Sequence, residues 1–285
     1  MNPYSVIITH YEREGNLKNT LKGLNRQSVL PTEVIVIEMG QGLHLENNFE
    51  FPLKIVNFER FWEFMPLAAA RNLGAEHSST EHLVFLDVDC IPSDNFCQKI
   101  VAASASRNAL AMGSPRYILH NNPMGFCVKE LRENSIFHPS RPEVNGIVKE
   151  ECYELFWSLC FSLSRELFER IGGFDDRFEG YGAEDTDFAL EVKKAGIPFY
   201  LTDAEVYHQQ HPIYVPPLNH LEPIIKNSNL FFAKWGYWPM VDCLQDFSDM
   251  GYIQWQGNKD TPITLKRKPT TQDIRERLIK NAPYR

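Results

Sequence analysis

Short runs of β-branched and aliphatic residues alternate with segments of helical periodicity in the first 113 residues. Such alternation is typical of βαβ units that build a largely parallel sheet. The pattern predicts an α/β fold, with a mostly parallel central sheet and helices on both faces. Strands are predicted at residues 6–9, 34–38, 53–57, 82–87 and 109–113.

Two helices are predicted between these strands. Leu17, Leu21 and Leu24 fall on one face by three- and four-residue spacing, and Asn16 is suited to cap this first helix. A second helix is predicted over residues 66–76, because proline is favourable in a first helical turn.

The pattern changes after the last of these strands. Residues 114–154 are rich in Pro, Asn, His and Arg and are too long for an ordinary connection, so they predict a loop that covers a substrate. Beyond this segment the pattern predicts a strand at residues 159–163, helices at 165–171 and 183–195, and a strand around Val206.

Composition and charge restrict the class of protein. The hydrophobic fraction of 43% and the aromatic fraction of 12% are those of a globular protein. No segment approaches the roughly 20 apolar residues that cross a bilayer, and the N-terminus lacks a signal-peptide pattern, so we expect a cytoplasmic protein. The net charge of −8 argues against nucleic-acid binding, which needs clustered Lys and Arg.

Cysteine spacing and the C-terminus add two smaller points. The six cysteines form no CxxC pair, so we expect buried free thiols rather than a zinc knuckle or a disulfide scaffold. Residues 265–285 carry seven basic and two acidic side chains. This basic C-terminus is either a solvated terminal helix or a peripheral contact with an anionic polymer or the inner face of a membrane.

Two carboxylates, Asp87 and Asp89, stand at the end of the apolar strand at residues 82–87. Ligands bind at the carboxyl ends of strands in open α/β sheets. A turn after the strand would let both side chains approach one divalent cation, Mn²⁺ or Mg²⁺. Paired acids also occur in solvated loops and helix caps, but the buried strand before them favours a ligand site.

Three more acids, Glu184, Asp185 and Asp187, fall in the first turn of the predicted helix at residues 183–195. The helix dipole favours their ionised forms there, and simple N-capping would explain one of them. The glycines that flank Tyr181 indicate a close approach of the backbone to a bulky ligand. A carboxylate in this place fits a general base that deprotonates an attacking hydroxyl.

Two further segments add polar groups. His208 follows the strand predicted around Val206 and is a candidate metal ligand, with His211 as its competitor. Arg71 is a candidate phosphate contact, and Asn72 is a candidate contact for a nucleotide or for groups that support the site. The alternative for this pair is a solvent-facing arginine and a helix-interior asparagine.

Together these segments resemble the family 2 glycosyltransferases of the GT-A fold, in particular chondroitin polymerases and β-1,4-galactosyltransferases. The resemblance covers residues 4–242. It rests on segments similar to the ARNxG, DxD, GGFDE, WGxED and AYHQ patterns of that family, which stand here at residues 70–74, 85–89, 172–175, 182–185 and 206–209.

The resemblance implies a nucleotide side of the site. Thr9 and Glu38 would line the pocket for the base, and Arg71, Asn72 and Asp87 would also lie on the side of the nucleotide. The implied partner is a nucleotide-sugar donor, with UDP favoured over GDP. His10 and Glu38 depart from the proline and aspartate that are common in the family, which bears on nucleotide preference.

The resemblance also implies the groups that carry the chemistry. Asp87, Asp89 and His208 would hold the divalent metal, Asp185 would be the base of an inverting reaction, and Glu184 would bind the acceptor. The acceptor would be a hydroxyl of a glycan or another molecule. Tyr181 stands where tryptophan is usual, which bears on the acceptor.

A domain division follows from this resemblance. One domain is expected over residues 1–242, with a nucleotide-binding half at 1–113 and an acceptor-binding, catalytic half at 114–211. Residues 243–285 would form a C-terminal extension, which we expect to be a helical appendage.

Two other functions fit part of the pattern. A strand that ends in Asp-x-Asp also occurs in haloacid-dehalogenase-type phosphatases, where the first acid is the nucleophile, but there it is the first strand and here three precede it. A noncatalytic nucleotide- or sugar-binding module is disfavoured by Glu184 and Asp185, because binding a neutral sugar needs no strong base.

Overall fold

The computed structural model describes residues 2–40, 42–43, 45, 48–119, 127–141, 143–257 and 260–282. The strands are β1 (Tyr4–His10), β2 (Glu33–Glu38), β3 (Leu53–Asn57), β4 (His82–Leu86), β5 (Cys90–Pro92), β6 (Leu110–Ile118), β7 (Ser135–Phe137), β8 (Ile147–Glu150), β9 (Cys160–Ser164), β10 (Phe199–His208), β11 (Ile213–Tyr214), β12 (Ile253–Gln254), β13 (Thr264–Leu265) and β14 (Leu278–Ile279). The helices are α1 (Glu14–Leu24), α2 (Leu67–His77), α3 (Phe96–Arg107), α4 (Val128–Glu133), α5 (Arg165–Arg170), α6 (Glu184–Lys194), α7 (Leu221–Trp235), α8 (Val241–Asp249) and α9 (Thr271–Arg275).

A central sheet joins the two halves of the chain. Its strand order is β3-β2-β1-β4-β9-β6-β10-β5, with β7 added to β6 and β8 added to β10. The four strands β3, β2, β1 and β4 are parallel, as predicted, and β10 is parallel to β6. Strand β9 runs antiparallel between β4 and β6, so the later half of the sheet is mixed.

Helices cover both faces of the sheet because side chains alternate along its strands. In β1, Val6 and Ile8 pack with α1 and α3 on one face, while Ile7 packs with α2, α5 and α6 on the other. Gly74 lets α2 approach β1, since a Cβ at this position would lie 2.3 Å from Cγ2 of Ile7. The prediction of an α/β fold with helices on both faces is confirmed.

One predicted helix cap is wrong. Helix α1 begins at Glu14 and its N-cap position is Arg13, so Asn16 lies inside the first turns rather than before them. The spacing of Leu17, Leu21 and Leu24 is borne out, because all three side chains are fully buried. The apolar face therefore set the position of this helix, whereas the capping preference of asparagine did not.

The long loop predicted at residues 114–154 is also wrong in part. Strand β6 continues through the polar residues to Ile118, and α4, β7 and β8 follow within the segment. Residues 120–126 and 142 lie outside the described residues. The polar continuation of β6 is a strand because β10 pairs with it, for example Glu205 with Ser114, and so satisfies its backbone groups.

The C-terminal part forms its own apolar cluster around α7 and α8, which includes Phe247, Tyr252 and Trp238. The basic C-terminus is not one helix: short β13 pairs with β12, α9 is a single short helix, and β14 pairs with β11. Within it, Arg267 lies 3.4 Å from Asp273 and Lys268 lies 2.8 Å from Glu222. No helix in the described part of the chain has the length and apolar character to cross a bilayer.

The cysteines are all free, as expected, but they are not all buried. Cys90, Cys97 and Cys160 lie in the core, where burial raises the pKa of each thiol. Cys127 and Cys152 are exposed, so the expectation of burial is wrong for these two. Both lie within residues 114–154, the polar segment that was predicted to be a loop.

Lys234 connects α7 to α6 and to the segment before it. Its Nζ lies 2.8 Å from Oδ1 of Asp187, 3.1 Å from Glu191 and 3.4 Å from Asp175. Nε1 of Trp235 donates a second hydrogen bond to the fully buried Asp187 at 2.7 Å. Asp187 therefore anchors α7 on α6.

We expect Lys234→Met to reduce the free energy of unfolding by about 3 kcal/mol, because it leaves the charge of Asp187 buried without its cation. Chemical denaturation followed by circular dichroism measures this difference. Lys226→Met is the matched control, since Lys226 pairs with Glu179 at the surface and should contribute less than about 1 kcal/mol. Equal losses in the two variants would contradict the anchoring role.

Candidate active site

Polar side chains from four strands meet at one edge of the sheet. Asp87 and Asp89 follow β4, His208 ends β10, and His10 and Glu38 end β1 and β2. Since β1, β2 and β4 are parallel, their carboxyl ends lie at the same edge. Strand β5 directly follows the two acids and pairs antiparallel with β10, which brings the segment after β10 back to the same edge.

Asp89, His208 and His211 form a group suited to a metal ion. One ligand atom from each side chain lies within 4.8 Å of the others. Nε2 of each histidine lies 3.6 Å from a carboxylate oxygen of Asp89. The pairing of His208 with Cys90 and a hydrogen bond from the backbone N of Gln209 to the carbonyl oxygen of Asp89 at 2.8 Å hold the two chain segments together. Both histidines that the sequence proposed therefore lie at the site.

Asp89 is buried beside Arg13 and the two histidines. Burial acts to raise the pKa of its carboxyl, but the charges of His208, Arg13 and His211 outweigh it, and the net shift is downward. Nη1 of Arg13 donates to Oδ2 of Asp89 at 2.5 Å. Sequence reasoning missed Arg13, because a single arginine just before a helix carries no motif of its own.

Asp87 lies outside this group and is bound to Arg71 instead. Nη2 of Arg71 donates to Oδ1 of Asp87 at 3.2 Å, and Nη1 lies 3.6 Å from Oε1 of Glu184. Arg71 is only 4% exposed, so the solvent-facing alternative is wrong. Burial raises the pKa of Asp87, with the charge of Asp89 adding to the rise and Arg71 opposing it. Arg71 thus links the carboxylates after β4 to those of α6.

Glu184 and Asp185 begin α6 at this junction. The turn before them is tight, with φ of +104° at Gly182 and +69° at Ala183. Burial, and then the charge of Asp185, raises the pKa of Glu184 to about 7. Burial also raises the pKa of Asp185, although hydrogen bonds from Thr186 act in the opposite direction. Two neighbouring carboxyls with raised pKa values are typical of a site that handles protons.

The raised pKa of Glu184 predicts a pH-dependent stability. Between its ordinary value of 4.5 and about 7, the folded protein holds a proton that the unfolded chain has released, so stability falls as pH rises through this window. We expect Glu184→Gln, which cannot titrate, to be at most about 3 kcal/mol more stable than the parent above pH 7 and similar to it near pH 4. Urea denaturation at both pH values measures this.

The control for this comparison is Glu166→Gln on the exposed side of α5. A difference between Glu184→Gln and the parent that is the same at both pH values would contradict the assigned environment of Glu184.

The corner where β1 and β2 end contains a buried His10–Glu38 pair. Nδ1 of His10 lies 2.5 Å from Oε2 of Glu38, and the backbone N of Gly40 donates to Oε1 of Glu38 at 2.6 Å. Both oxygens of Glu38 are therefore engaged, while Nε2 of His10 is buried without a hydrogen-bond partner among the described residues. Thr9 is buried beside them at the end of β1.

Asn72 joins α2 to the segment after α5. Its Nδ2 donates to the carbonyl oxygen of Phe174 at 2.8 Å, and its Oδ1 accepts from the backbone N of Phe174 at 2.9 Å. This places Asn72 as a support of the site; its contact with a nucleotide stays a prediction. Gly173, with φ of +70°, approaches Asn72 closely, since a Cβ there would lie 2.6 Å from Oδ1.

Aromatic and basic side chains from residues 114–157 complete the site. The ring of Tyr117 lies 5.0 Å from that of His208, and the ring of His138 lies 5.1 Å from that of Trp157. The guanidinium of Arg141 lies 4.0 Å above the ring of Trp157. Sequence reasoning assigned residues 114–154 to a substrate-covering loop but did not single out Tyr117, His138 or Arg141 within it.

The chain matches two family profiles. The profile described as Glycosyl transferase family 2 covers residues 5–168, more than half of the chain. The profile described as N-terminal domain of galactosyltransferase covers residues 148–212, which contain the Glu184–Asp185 pair and both histidines of the metal group.

Two curated relatives show the range of the similarity. Validoxylamine A glucosyltransferase of Streptomyces hygroscopicus subsp. limoneus is 28% identical over 219 residues, covering 68% of this chain and 48% of that protein. Chondroitin synthase of Escherichia coli is 24% identical over 239 residues, covering 73% of this chain and 35% of that protein. The chain spans about half the length of these relatives or less.

A crystal structure of GalNAc-T7 with UDP, GalNAc and Mn²⁺ has a TM-score of 0.59 and 17% identity, and covers 73% of this chain and 44% of that chain. This similarity shows a common fold, which is the GT-A fold. Because the family profile covers more than half of its residues, the chain belongs to the family 2 glycosyltransferases.

Proposed function

We propose that this protein is an inverting glycosyltransferase that moves a sugar from a UDP-sugar to a hydroxyl of a glycan or another acceptor. The observation that carries the proposal is the link through Arg71 between two groups of carboxylates. One group, Asp87 with Asp89, adjoins the two histidines; the other, Glu184 with Asp185, has raised pKa values. A diphosphate clamp and a base at one junction fit sugar transfer.

The residues present fit a divalent cation. Asp89, His208 and His211 offer one carboxylate and two imidazoles, a set that suits a transition metal such as Mn²⁺ better than Mg²⁺, which prefers oxygen. When bound, the cation would neutralise charge that grows on the diphosphate as the sugar departs. Asp87 stays a candidate ligand, although it would have to give up part of its contact with Arg71.

Asp185 is proposed as the general base. The acceptor oxygen attacks the anomeric carbon, the bond from that carbon to the diphosphate oxygen breaks, and the hydroxyl proton passes to Asp185. The pKa of Asp185 is raised by burial, which makes its carboxylate a stronger proton acceptor than a solvated aspartate. Glu184 would bind the acceptor beside it. Inversion follows from attack on the side opposite the diphosphate.

UDP is proposed as the carrier because the fold relative GalNAc-T7 was crystallised with UDP and Mn²⁺. His10 supports recognition of the nucleobase where β1 and β2 end. When Nδ1 of His10 donates to Glu38, its Nε2, which has no partner among the described residues, can accept a hydrogen bond from an N–H group of the nucleobase. Glu38 would then orient His10 and would not contact the nucleobase itself. Thr9 lines the same corner.

The family assignment does not favour the phosphatase alternative. Titration calorimetry, followed by product analysis, distinguishes the glycosyltransferase from a noncatalytic nucleotide- or sugar-binding module. The parent is titrated with UDP and with GDP, each with and without Mn²⁺. We expect binding of UDP that requires Mn²⁺, and weaker binding of GDP. Absence of metal-dependent nucleotide binding would overturn the proposal. Mass spectrometry of products from a panel of nucleotide sugars and acceptors then tests transfer, and metal-dependent binding without any product would favour a noncatalytic module.

A further inference from the structure

Arg141 is a buried cation that stacks on an aromatic ring. The residue is 6% exposed, and its Nε, Nη1 and Nη2 atoms have no partner among the described residues. One face of the guanidinium packs on the ring of Trp157 at 4.0 Å. A stacked guanidinium keeps its in-plane N–H groups directed away from the ring, so the stacking leaves all of its donors unused.

Its position differs from that of the other arginines at the site. Arg13 is paired with Asp89, and Arg71 contacts Asp87 and Glu184. Arg141 is influenced by the charge of Asp185 and lies near Tyr117, whose ring lies 5.0 Å from that of His208, but it forms no ion pair with a described carboxylate. Arg141 therefore lies near the proposed base, with its N–H groups free of partners among the described residues.

A buried, unpaired guanidinium is costly, because desolvation of the ion is not compensated by hydrogen bonds. Burial lowers the pKa of Arg141 to about 10, with the charge of Asp185 opposing the shift, so the side chain stays protonated at neutral pH. A planar cation with free forked donors is matched to a planar or tetrahedral oxyanion, which it can bind through two parallel hydrogen bonds. An anionic ligand would relieve the desolvation cost.

We propose that Arg141 binds an oxyanion of a substrate in this site. The inference rests on the proposed function, which supplies two sources of that chemistry: the terminal phosphate of a nucleoside diphosphate, and the carboxylate of an acidic sugar. In the first case Arg141 adds positive charge where the diphosphate becomes more negative during departure. In the second case it selects a sugar that carries a carboxylate.

The test uses Arg141→Met, which keeps an apolar stem on Trp157 and removes the charge. Calorimetry with Mn²⁺ present measures the affinity of UDP, UMP, inorganic pyrophosphate and glucuronate. Loss of about 10- to 100-fold for UDP and pyrophosphate, with UMP unchanged, identifies the terminal phosphate. The same loss for glucuronate, with UDP unchanged, identifies an acidic sugar.

Stability separates binding from a structural role. We expect the melting temperature of Arg141→Met to equal or exceed that of the parent, because an unpaired buried charge is removed. Arg141→Lys keeps the charge without the fork and is expected to lose less affinity at the same melting temperature. Arg107→Met is the matched control, because Arg107 also stacks on an aromatic ring, that of Tyr200 at 5.3 Å. Arg107 ends α3 just before β6 begins, whereas the site lies where the strands end, so this variant should keep the affinity of the parent.

Unchanged affinity of a folded Arg141→Met for UDP, pyrophosphate and glucuronate would overturn the inference and leave the proposed function intact. A parent that binds pyrophosphate or glucuronate through Arg141, but shows no metal-dependent UDP binding, would uphold Arg141 as an oxyanion site and overturn the proposed function instead.

Discussion

Asp185→Asn is expected to lower the rate constant of sugar transfer by about 10²–10⁴-fold while the affinity for UDP with Mn²⁺ stays near that of the parent. The amide has the size of the carboxylate but cannot accept the hydroxyl proton. Asp185 is the second residue of α6 and is not a member of the Asp89–His208–His211 group, so the substitution should not remove a metal ligand. Single-turnover assays with a saturating donor, combined with calorimetry, measure the two quantities separately.

The matched control for this experiment is Asp176→Asn, an exposed aspartate 3.7 Å from Arg60. It should transfer sugar at the rate of the parent. An Asp185→Asn variant that transfers sugar nearly as fast as the parent would show that another group takes the proton. Parallel loss of UDP affinity would show that Asp185 serves the donor instead.

Asp89→Ala is expected to abolish metal-dependent nucleotide binding, with a loss of affinity for Mn²⁺ on the order of 100-fold or more. Asp89 supplies the only carboxylate of the three-residue metal group found among the described residues. Its removal would leave His208, His211 and Arg13 close together without their shared anion, a further cost to cation binding. Calorimetry of UDP binding over a Mn²⁺ series measures the effect.

Asp94→Asn is the control, because Asp94 lies at the surface near Arg26 and outside the group. Retention of Mn²⁺-dependent UDP binding by a folded Asp89→Ala variant would reject Asp89 as the central ligand. His208→Ala and His211→Ala, measured in the same way, then show whether one histidine or both bind the metal, a choice that the sequence left open.

Much of the fold follows from local pattern. The runs of β1, β2 and β4 have the length and apolar content of buried strands, and the leucine spacing of α1 defines its buried face. Local pattern also predicts the place of the two acidic motifs. Asp-x-Asp directly follows the apolar run of β4, and Glu184–Asp185 begins the helical pattern of α6. Predictions failed where pairing between distant segments decided the outcome, as in the strand continuation at Ser114.

The sequence by itself determined the α/β class, the position of the acids at the end of β4, and the acidic start of α6, because these depend on periodicity within a few residues. Only the tertiary structure decided which polar groups meet. The antiparallel pairing of β5 with β10 brings both histidines to Asp89, and Arg71 is buried between two groups of carboxylates. Arg141 stacks on Trp157 without a hydrogen-bond partner in the described part of the chain. Such contacts join residues that are at least 16 positions apart, and no local spacing records them.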